Sequence, residues 1–406
     1  MFETKPRNQM ILACSLFLAF GMFNAAIGPV LGELAARTGS TLAAVGAVLT
    51  FLFLGSLVTQ LIAGPLTDRY GLRPLLLVSL LLVVICLPGV TLSRSLPLML
   101  ALVFFTGMGQ GGLDLGANLV VSSAYPRNST SMLNLLHFFF GLGAILGPAA
   151  VGLALATLGS GLIVHWFAAA VFLVLAVIIF KLRETPPNQA DVTQPASVQE
   201  ATGKNIYRSP YLWLICFLIL VYVGVEYGSG SWITTFMGVT TGMLEKNGAL
   251  VTSAYWAALT VGRLAGAAAG ARLGHTRLLI LAIFGSLLGS ILFAFGVGNL
   301  VFSIGTILIL GFSFGTIYPT SVAITVSAFP ADQGKAVGLL AAMGSIGGLS
   351  LPWVAGVLLE NVSPLAYSLF LITGCTLMLT LFLGFLSHKK RNPPSLPLHS
   401  EGQRDS

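Results

Sequence analysis

The sequence predicts an all-α membrane protein with twelve transmembrane helices, built as two six-helix pseudo-symmetric halves. Three observations carry that prediction. Hydrophobic residues make up 56% of the chain and charged residues 8%, with a mean hydropathy of +0.92, whereas a water-soluble domain carries roughly a quarter charged residues. Apolar stretches near twenty residues recur along the 406-residue chain, and about 20 such residues cross the ~30 Å hydrocarbon core as one helix. Finally, two loops half a chain length apart carry the same spacing of glycine and basic residues.

Hydropathy places spans near 10–32, 42–63, 75–93, 96–124, 131–156 and 160–182, and a second set near 210–236, 248–270, 277–297, 300–327, 332–359 and 364–386. The expected organisation is an N-terminal half over 1–182, a cytoplasmic linker over 183–209, a C-terminal half over 210–387 and a disordered tail over 388–406. The linker is polar, with Glu184, Pro186, Pro187 and Asn188, and neither alternates nor repeats. No small-residue cleavage site follows the first apolar stretch, so it reads as a retained span rather than a signal peptide. With both termini placed inside, sixteen of the twenty Lys and Arg are cytoplasmic; Arg37, Arg94 and Lys246 fall outside and Arg263 within a span. That asymmetry sets the expected topology, a multi-pass protein of a cell (inner) membrane with both termini cytoplasmic.

The formal charge of +7 is scattered through loops rather than gathered in a patch, which argues against nucleic acid as a partner. Cys14, Cys86, Cys216 and Cys375 all lie in apolar stretches without metal-ligand spacing and read as small core residues. There is no P-loop lysine motif, no metal cluster and no nucleophile–base pairing. An enzyme is not expected and no cofactor is called for; the expected partners are a small-molecule substrate, protons (with sodium as the alternative) and the lipid bilayer, around a monomer.

Ionisable residues inside spans are costly, so each is a candidate for mechanism. Gln110, Asp114 and Asn118 are spaced i, i+4, i+8 along one face of the fourth span, and Asn134, His137 and Gly141 share a face of the fifth. Asp114 suits a proton-coupling group; the alternative is a hydrogen-bonded tie between helices. His137 is either a proton relay or a hydrogen-bonded core residue, and His165, at a span's outer end, reads as interfacial. Glu226 lies in the seventh span among Gly224, Gly228 and Gly230, beside Tyr227 and ahead of Trp232. Glycines let a ligand or kink reach the backbone. Aromatic faces beside a carboxylate suit a sugar, and core or interface packing is the alternative for the rings. Arg263 either pairs with Asp114 or Glu226 or snorkels toward water. Tyr255 and Trp256 precede it; with Asn24, Tyr318 and Thr320 they complete the uncharged candidates for substrate contact.

Gly64-Pro-Leu-Thr-Asp68-Arg69-Tyr-Gly71-Leu-Arg73 follows the second span, and Ala271-Arg272-Leu-Gly274-His275-Thr-Arg277 follows the eighth, an offset of 203 residues. Gly64 to Arg73 resembles the signature loop of the major facilitator superfamily, G-x-x-x-D-R-x-G-R-R, with Leu72 at the first of the two trailing basic positions. The resemblance extends over all twelve spans and implies two parallel six-helix halves with substrate held between them. It also implies that Asp68, Arg69 and Arg73 brace one conformational state, with Arg272 as the partial second copy in which Ala271 stands where Asp68 does. Gly111 to Asn118, Leu133 to Gly141, Tyr222 to Tyr227 and Gly311 to Pro319 further resemble the fucose permease-type sugar–proton symporter branch.

Secondary active transport follows, with proton-coupled uptake of a sugar or similar small polar solute as the leading reading and sodium coupling as an alternative. Proton-coupled efflux of amphipathic compounds is the other alternative. Gly143-Ala-Ile-Leu-Gly147-Pro148-Ala-Ala-Val-Gly152 resembles an antiporter motif, but Gly107 occupies the place where proton antiporters carry an arginine. A ligand-binding membrane sensor would need an interaction domain, for which the linker and tail are short.

Overall fold

A computed structural model describes residues 4–125, 129–182, 206–329 and 332–391. In chain order its helices are α1 (Pro6–Ala26), α2 (Leu31–Thr38), α3 (Leu42–Tyr70), α4 (Leu72–Leu92), α5 (Leu96–Ala124), α6 (Ser129–Leu158) and α7 (Ile163–Lys181). The second half follows with α8 (Pro210–Thr241), α9 (Glu245–Leu273), α10 (His275–Phe295), α11 (Leu300–Phe314), α12 (Ile317–Ala328), α13 (Gln333–Asn361) and α14 (Pro364–Arg391). The described residues contain no strand, as lipid demands, since a spanning helix satisfies its own backbone. Most of the expected 183–209 linker, and the tail beyond 391, lie outside the described residues.

Two spans differ from the hydropathy reading. The first stops at Ala26, and Gly28-Pro29 turn the chain through a short 3-10 segment into α2, because proline supplies no backbone donor. The tenth span breaks at Gly315-Thr316: Pro319 has no N–H for the Gly315 carbonyl and instead sits in the first turn of α12, where none is needed. Eleven segments among the described residues are long and apolar enough to cross a membrane. The remaining long helix, α9, is diluted by Gly and Ala and carries Glu245, Lys246, Arg263 and Arg272; its 29 residues nonetheless reach ~43 Å at 1.5 Å each.

The internal repeat has a backbone counterpart. Gly71 (φ 88°, ψ 175°) closes α3 and opens α4, and Gly274 (φ 74°, ψ 156°) closes α9 and opens α10. A side chain is strongly disfavoured in that conformation, so the glycine spacing seen in the sequence marks a turn made twice.

Lipid gives apolar helices no hydrophobic reason to associate, so close packing through small residues must do it. In the first half α1 packs on α6 and α3 on α5; in the second, α8 on α13 and α9 on α11, while α3–α13 and α6–α9 join the halves. A Cβ at Gly143 or Gly147 would run into the Leu18 or Met22 carbonyl, one at Gly55 or Gly107 into Phe104 or Leu52, and one at Gly262 into Phe312. Val78, Leu81 and Ile85 on α4, by contrast, lie exposed on one stripe, a lipid-facing surface.

Spans that alternate in direction put the start of α1 and the end of α14 on one face of the bundle, called here the terminal face. The contacts between halves lie toward the other. Thr50 Oγ1 donates to the Leu349 carbonyl (2.8 Å) and Ser253 Oγ to the Ile145 carbonyl (2.7 Å). A Cβ at Gly28 would stand 2.7 Å from Ser231 Cα, and one at Gly46 2.8 Å from the Trp232 ring.

The glycines of the α1–α6 contact therefore explain Gly143 and Gly147 without an antiport role. Gly143→Val is expected to force α1 off α6 and cost about 1–3 kcal/mol of overpacking strain, read as a lower thermal-unfolding midpoint of the purified protein in detergent. Gly159→Ala, at a loop position with open space around it but a positive φ, should cost about 1 kcal/mol through backbone strain alone.

Candidate functional site

The site grows from α8. Tyr222 and Glu226, one turn apart, share the face that packs on α9. Glu226 is 5% exposed, and its Oε1 lies 3.6 Å from Arg263 Nη2 on α9. Of the two arrangements open to Arg263 in the sequence, the structure has the ion pair. Burial of the acid without a counter-charge would cost several kcal/mol; the arginine side chain stays 27% exposed and keeps part of its hydration.

The break between α11 and α12 is built into the same cluster. The Tyr222 hydroxyl donates to the Phe314 carbonyl at the end of α11 (3.0 Å), and the Tyr255 hydroxyl to the Glu226 carbonyl (3.0 Å). Gly315 rests on the α9 backbone, where a Cβ would stand 2.7 Å from the Arg263 nitrogen. The helix that carries Tyr318 is thus docked on the residues that carry the charge pair.

Across the gap the first half supplies amides. Asn24 Nδ2 donates to the Phe20 carbonyl (2.9 Å), and Asn24 Oδ1 accepts from Gln110 Nε2 (3.2 Å). Gln110 Oε1 is buried with no hydrogen-bond partner. Asn118 Nδ2 donates to the carbonyl of Asp114 (2.8 Å) and to its Oδ1 (3.1 Å). Asp114 and Asn118 are half-buried. His137 is an exposed residue of α6 whose ring meets Phe17 edge-on at 5.3 Å.

Aromatic rings pack beside the charge pair and across the halves. Tyr227 meets Phe53 of the first half edge-on at 4.9 Å and Trp256 at 6.0 Å. Trp256 Nε1 is buried with no hydrogen-bond partner. Gln60, at Arg263 minus 203, accepts from Ser345 across the halves at 3.5 Å and donates to Ser56 at 3.3 Å.

The structure thus gathers Glu226, Arg263 and Tyr255, with Tyr227 beside Trp256 and Tyr318 beside Tyr222, in the second half; in the first it pairs Asn24 with Gln110 and Asp114 with Asn118, and sets His137 against Phe17. It sets Trp232 apart: fully buried, it donates Nε1 to the Pro352 carbonyl (2.8 Å) and packs its ring against Gly46 and Gly356 in the closure between halves. His165, in the first turn of α7, is 4% exposed and meets Phe23 edge-on at 5.9 Å. The Asp68 and Asn134 side chains lie outside the described ones. Near the terminal face Arg69 stands over the Tyr70 ring at 5.2 Å, Arg73 donates to the Phe180 carbonyl, and Arg272 is exposed. The sequence reading missed Phe53 and Ser345, which carry no signal in apolar spans, and gave Tyr222 no role although it stands one turn before Glu226.

The model of the Major Facilitator Superfamily matches residues 11–295 and 245–405. The sodium-dependent glucose transporter 1 of Homo sapiens is 23% identical over 398 residues, 90% of this chain and 76% of that protein. The inner membrane transport protein YdiM of Escherichia coli (strain K12) is 25% identical over 364 residues, 87% and 88% of the two chains. Two solved structures, the nucleoside transporter NupG and a D-xylose-proton symporter, each superpose with a TM-score of 0.74 at 14% identity. They cover 94% and 91% of this chain, and 99% and 96% of their own.

A double-mutant cycle checks the ion pair. Arg263→Gln and Glu226→Gln should each lower thermal stability in detergent, and the double variant should recover part of the loss. The expected coupling is about 1–3 kcal/mol.

Proposed function

The chain belongs to the Major Facilitator Superfamily, and from that premise we propose that it takes up a sugar, or a similar small polyhydroxylated solute, with protons by alternating access. The observation that carries this reading is the Glu226–Arg263 pair (3.6 Å), with aromatic rings beside it in the second half and Asp114 and side-chain amides in the first. Tyr227, Trp256 and Tyr318 offer ring faces for C–H surfaces, and Asn24, Gln110 and Asn118 offer donors and acceptors for hydroxyls. Either carboxylate can exchange the pairing that holds it for a proton, and a bound ligand or proton biases a two-state bundle only through such a difference.

Lysine and arginine counts favour a terminal face in the cytoplasm. The contacts between the halves would then close the outer face. The linker over 183–209 would tie the halves there, with Asp68, Arg69, Arg73 and Arg272 at its gate, and the protein would work as a monomer in a cell (inner) membrane. Efflux is less well supported: a Cβ at Gly107 would strike the Leu52 carbonyl, so the arginine of proton antiporters has no room there. Sodium coupling is the second reading, favoured by the relatives that are sodium-dependent glucose transporters.

The test is uptake of a panel of labelled sugars into proteoliposomes under an inward proton gradient and, separately, a sodium gradient. Wild type should accumulate a sugar under the proton gradient. Asp114→Asn or Glu226→Gln should lose about tenfold or more of that accumulation, the equivalent of at least ~1.4 kcal/mol of coupling, and the variant at the coupling acid should still exchange labelled for unlabelled sugar. Accumulation under sodium alone selects the second reading, and none under either gradient defeats both.

A further inference from the structure

The start of α3 is completed by the other half of the molecule. A helix leaves its first N–H groups without intrahelical acceptors. At α3, Val45 N–H goes to the Thr41 carbonyl and Ala44 N–H to the Thr41 hydroxyl (3.2 Å). The other two, from Leu42 (2.9 Å) and Ala43, go to the two carboxylate oxygens of Glu360. Glu360 stands in the last turn of α13, 318 residues from Leu42.

Charge strengthens the contact. The N-terminus of α3 carries a partial positive charge from the helix dipole, and a carboxylate there makes charge-assisted hydrogen bonds. The other carboxylates at this face differ in kind: Glu33 accepts from Ser160 and from Gly161 N–H (2.9 Å) within its own half, and Glu245, at the start of α9, lies against Gly32 without capping a helix of the first half. Rocking the halves apart at this face leaves Glu33 bonded but strips Leu42 and Ala43 of their acceptors. The neutral cross-half bonds, Thr50 to Leu349 and Ser253 to Ile145, involve hydroxyls that can turn to a carbonyl of their own helix; the first-turn amides of α3 have no such choice.

We propose that Glu360 is a gating residue, a helix cap supplied in trans that holds the non-terminal face shut and sets the balance between the two access states. This rests on the alternating-access reading above and on no assumption about substrate. Opening that face exchanges the carboxylate for water at α3, so the cap weights the equilibrium toward the state described here. Removing it should shift the balance about tenfold toward the opposite state.

Hydrogen–deuterium exchange of the full chain in lipid nanodiscs tests this with Glu360→Ala and Glu360→Gln, the latter keeping one acceptor oxygen without the charge. Segments 42–52 and 246–253 report the non-terminal face, and 114–124 and 318–328 the terminal one. The expected result is reciprocal: about tenfold faster opening at the first pair with greater protection at the second, and a smaller shift of the same sense in Glu360→Gln. Unchanged exchange, or faster exchange at both faces, overturns the proposal, since a merely structural cap would loosen the bundle without protecting its other end. Wild type measured with and without the sugar panel keeps the premise separate: if sugars fail to move the two faces in opposite senses, alternating access itself fails, whatever Glu360 does.

Discussion

Everything near the centre of this bundle is arranged around one fact: a carboxylate and a guanidinium 3.6 Å apart must be kept in a molecule whose surroundings are hydrocarbon. Neither charge is stable there alone. Glu226 is therefore deeply buried on α8 while Arg263 on α9 keeps a wet side. The aromatic rings of Tyr227 and Trp256 pack beside them, and Gly315 lets the broken tenth span sit directly on the arginine's backbone. The Tyr222 hydroxyl satisfies the Phe314 carbonyl at the end of α11.

The parts of this arrangement that were legible in the sequence are those with a local cause. Hydropathy placed the spans because each must match the same thickness of lipid, and Gly71 and Gly274 announced a repeated turn because only glycine suits its dihedrals. The i, i+4, i+8 stripe of Gln110, Asp114 and Asn118 declared an inward face before any neighbour was known. The partner of Arg263 was narrowed to two acids, but the choice between them depends on how α8 packs against α9, and one chain's spacing holds no record of that. Trp232 shows the opposite failure: an aromatic near a carboxylate looks like a ligand-binding ring, yet Gly46 and Gly356 leave a slot that only packing reveals. Glu360 drew no notice, being one more acid at a helix end until the helix it caps is known to belong to the other half.

The pseudo-symmetry also shows where the halves have parted company. At an offset of 203 residues Asn24 corresponds to Tyr227, Gln60 to Arg263, Gln110 to Ser313 and Asp114 to Ile317. The first half has amides and one carboxylate at these places; the second has aromatic, basic, hydroxyl and aliphatic groups. A solute between them meets hydrogen-bonding groups on one side and rings with a charge pair on the other. That suits a molecule with hydroxyl edges and flat C–H faces better than a symmetric or purely apolar one.

The location of each contact relative to the division between halves decides what can break it. Glu226 and Arg263 belong to the same half, so a rigid rocking of one half on the other leaves their separation unchanged. Motion alone does not release the pair; something arriving in the cavity must, whether a proton on the carboxylate or a hydroxyl competing for either partner. Glu360 and the start of α3 are in the reverse position: they belong to different halves, and rocking separates them without any ligand. Asp114 resembles Glu226 in this respect, since its hydrogen bond to Asn118 lies within the first half and rocking alone leaves it intact. A group that couples ion binding to the motion must bind unequally in the two states, because equal binding shifts nothing.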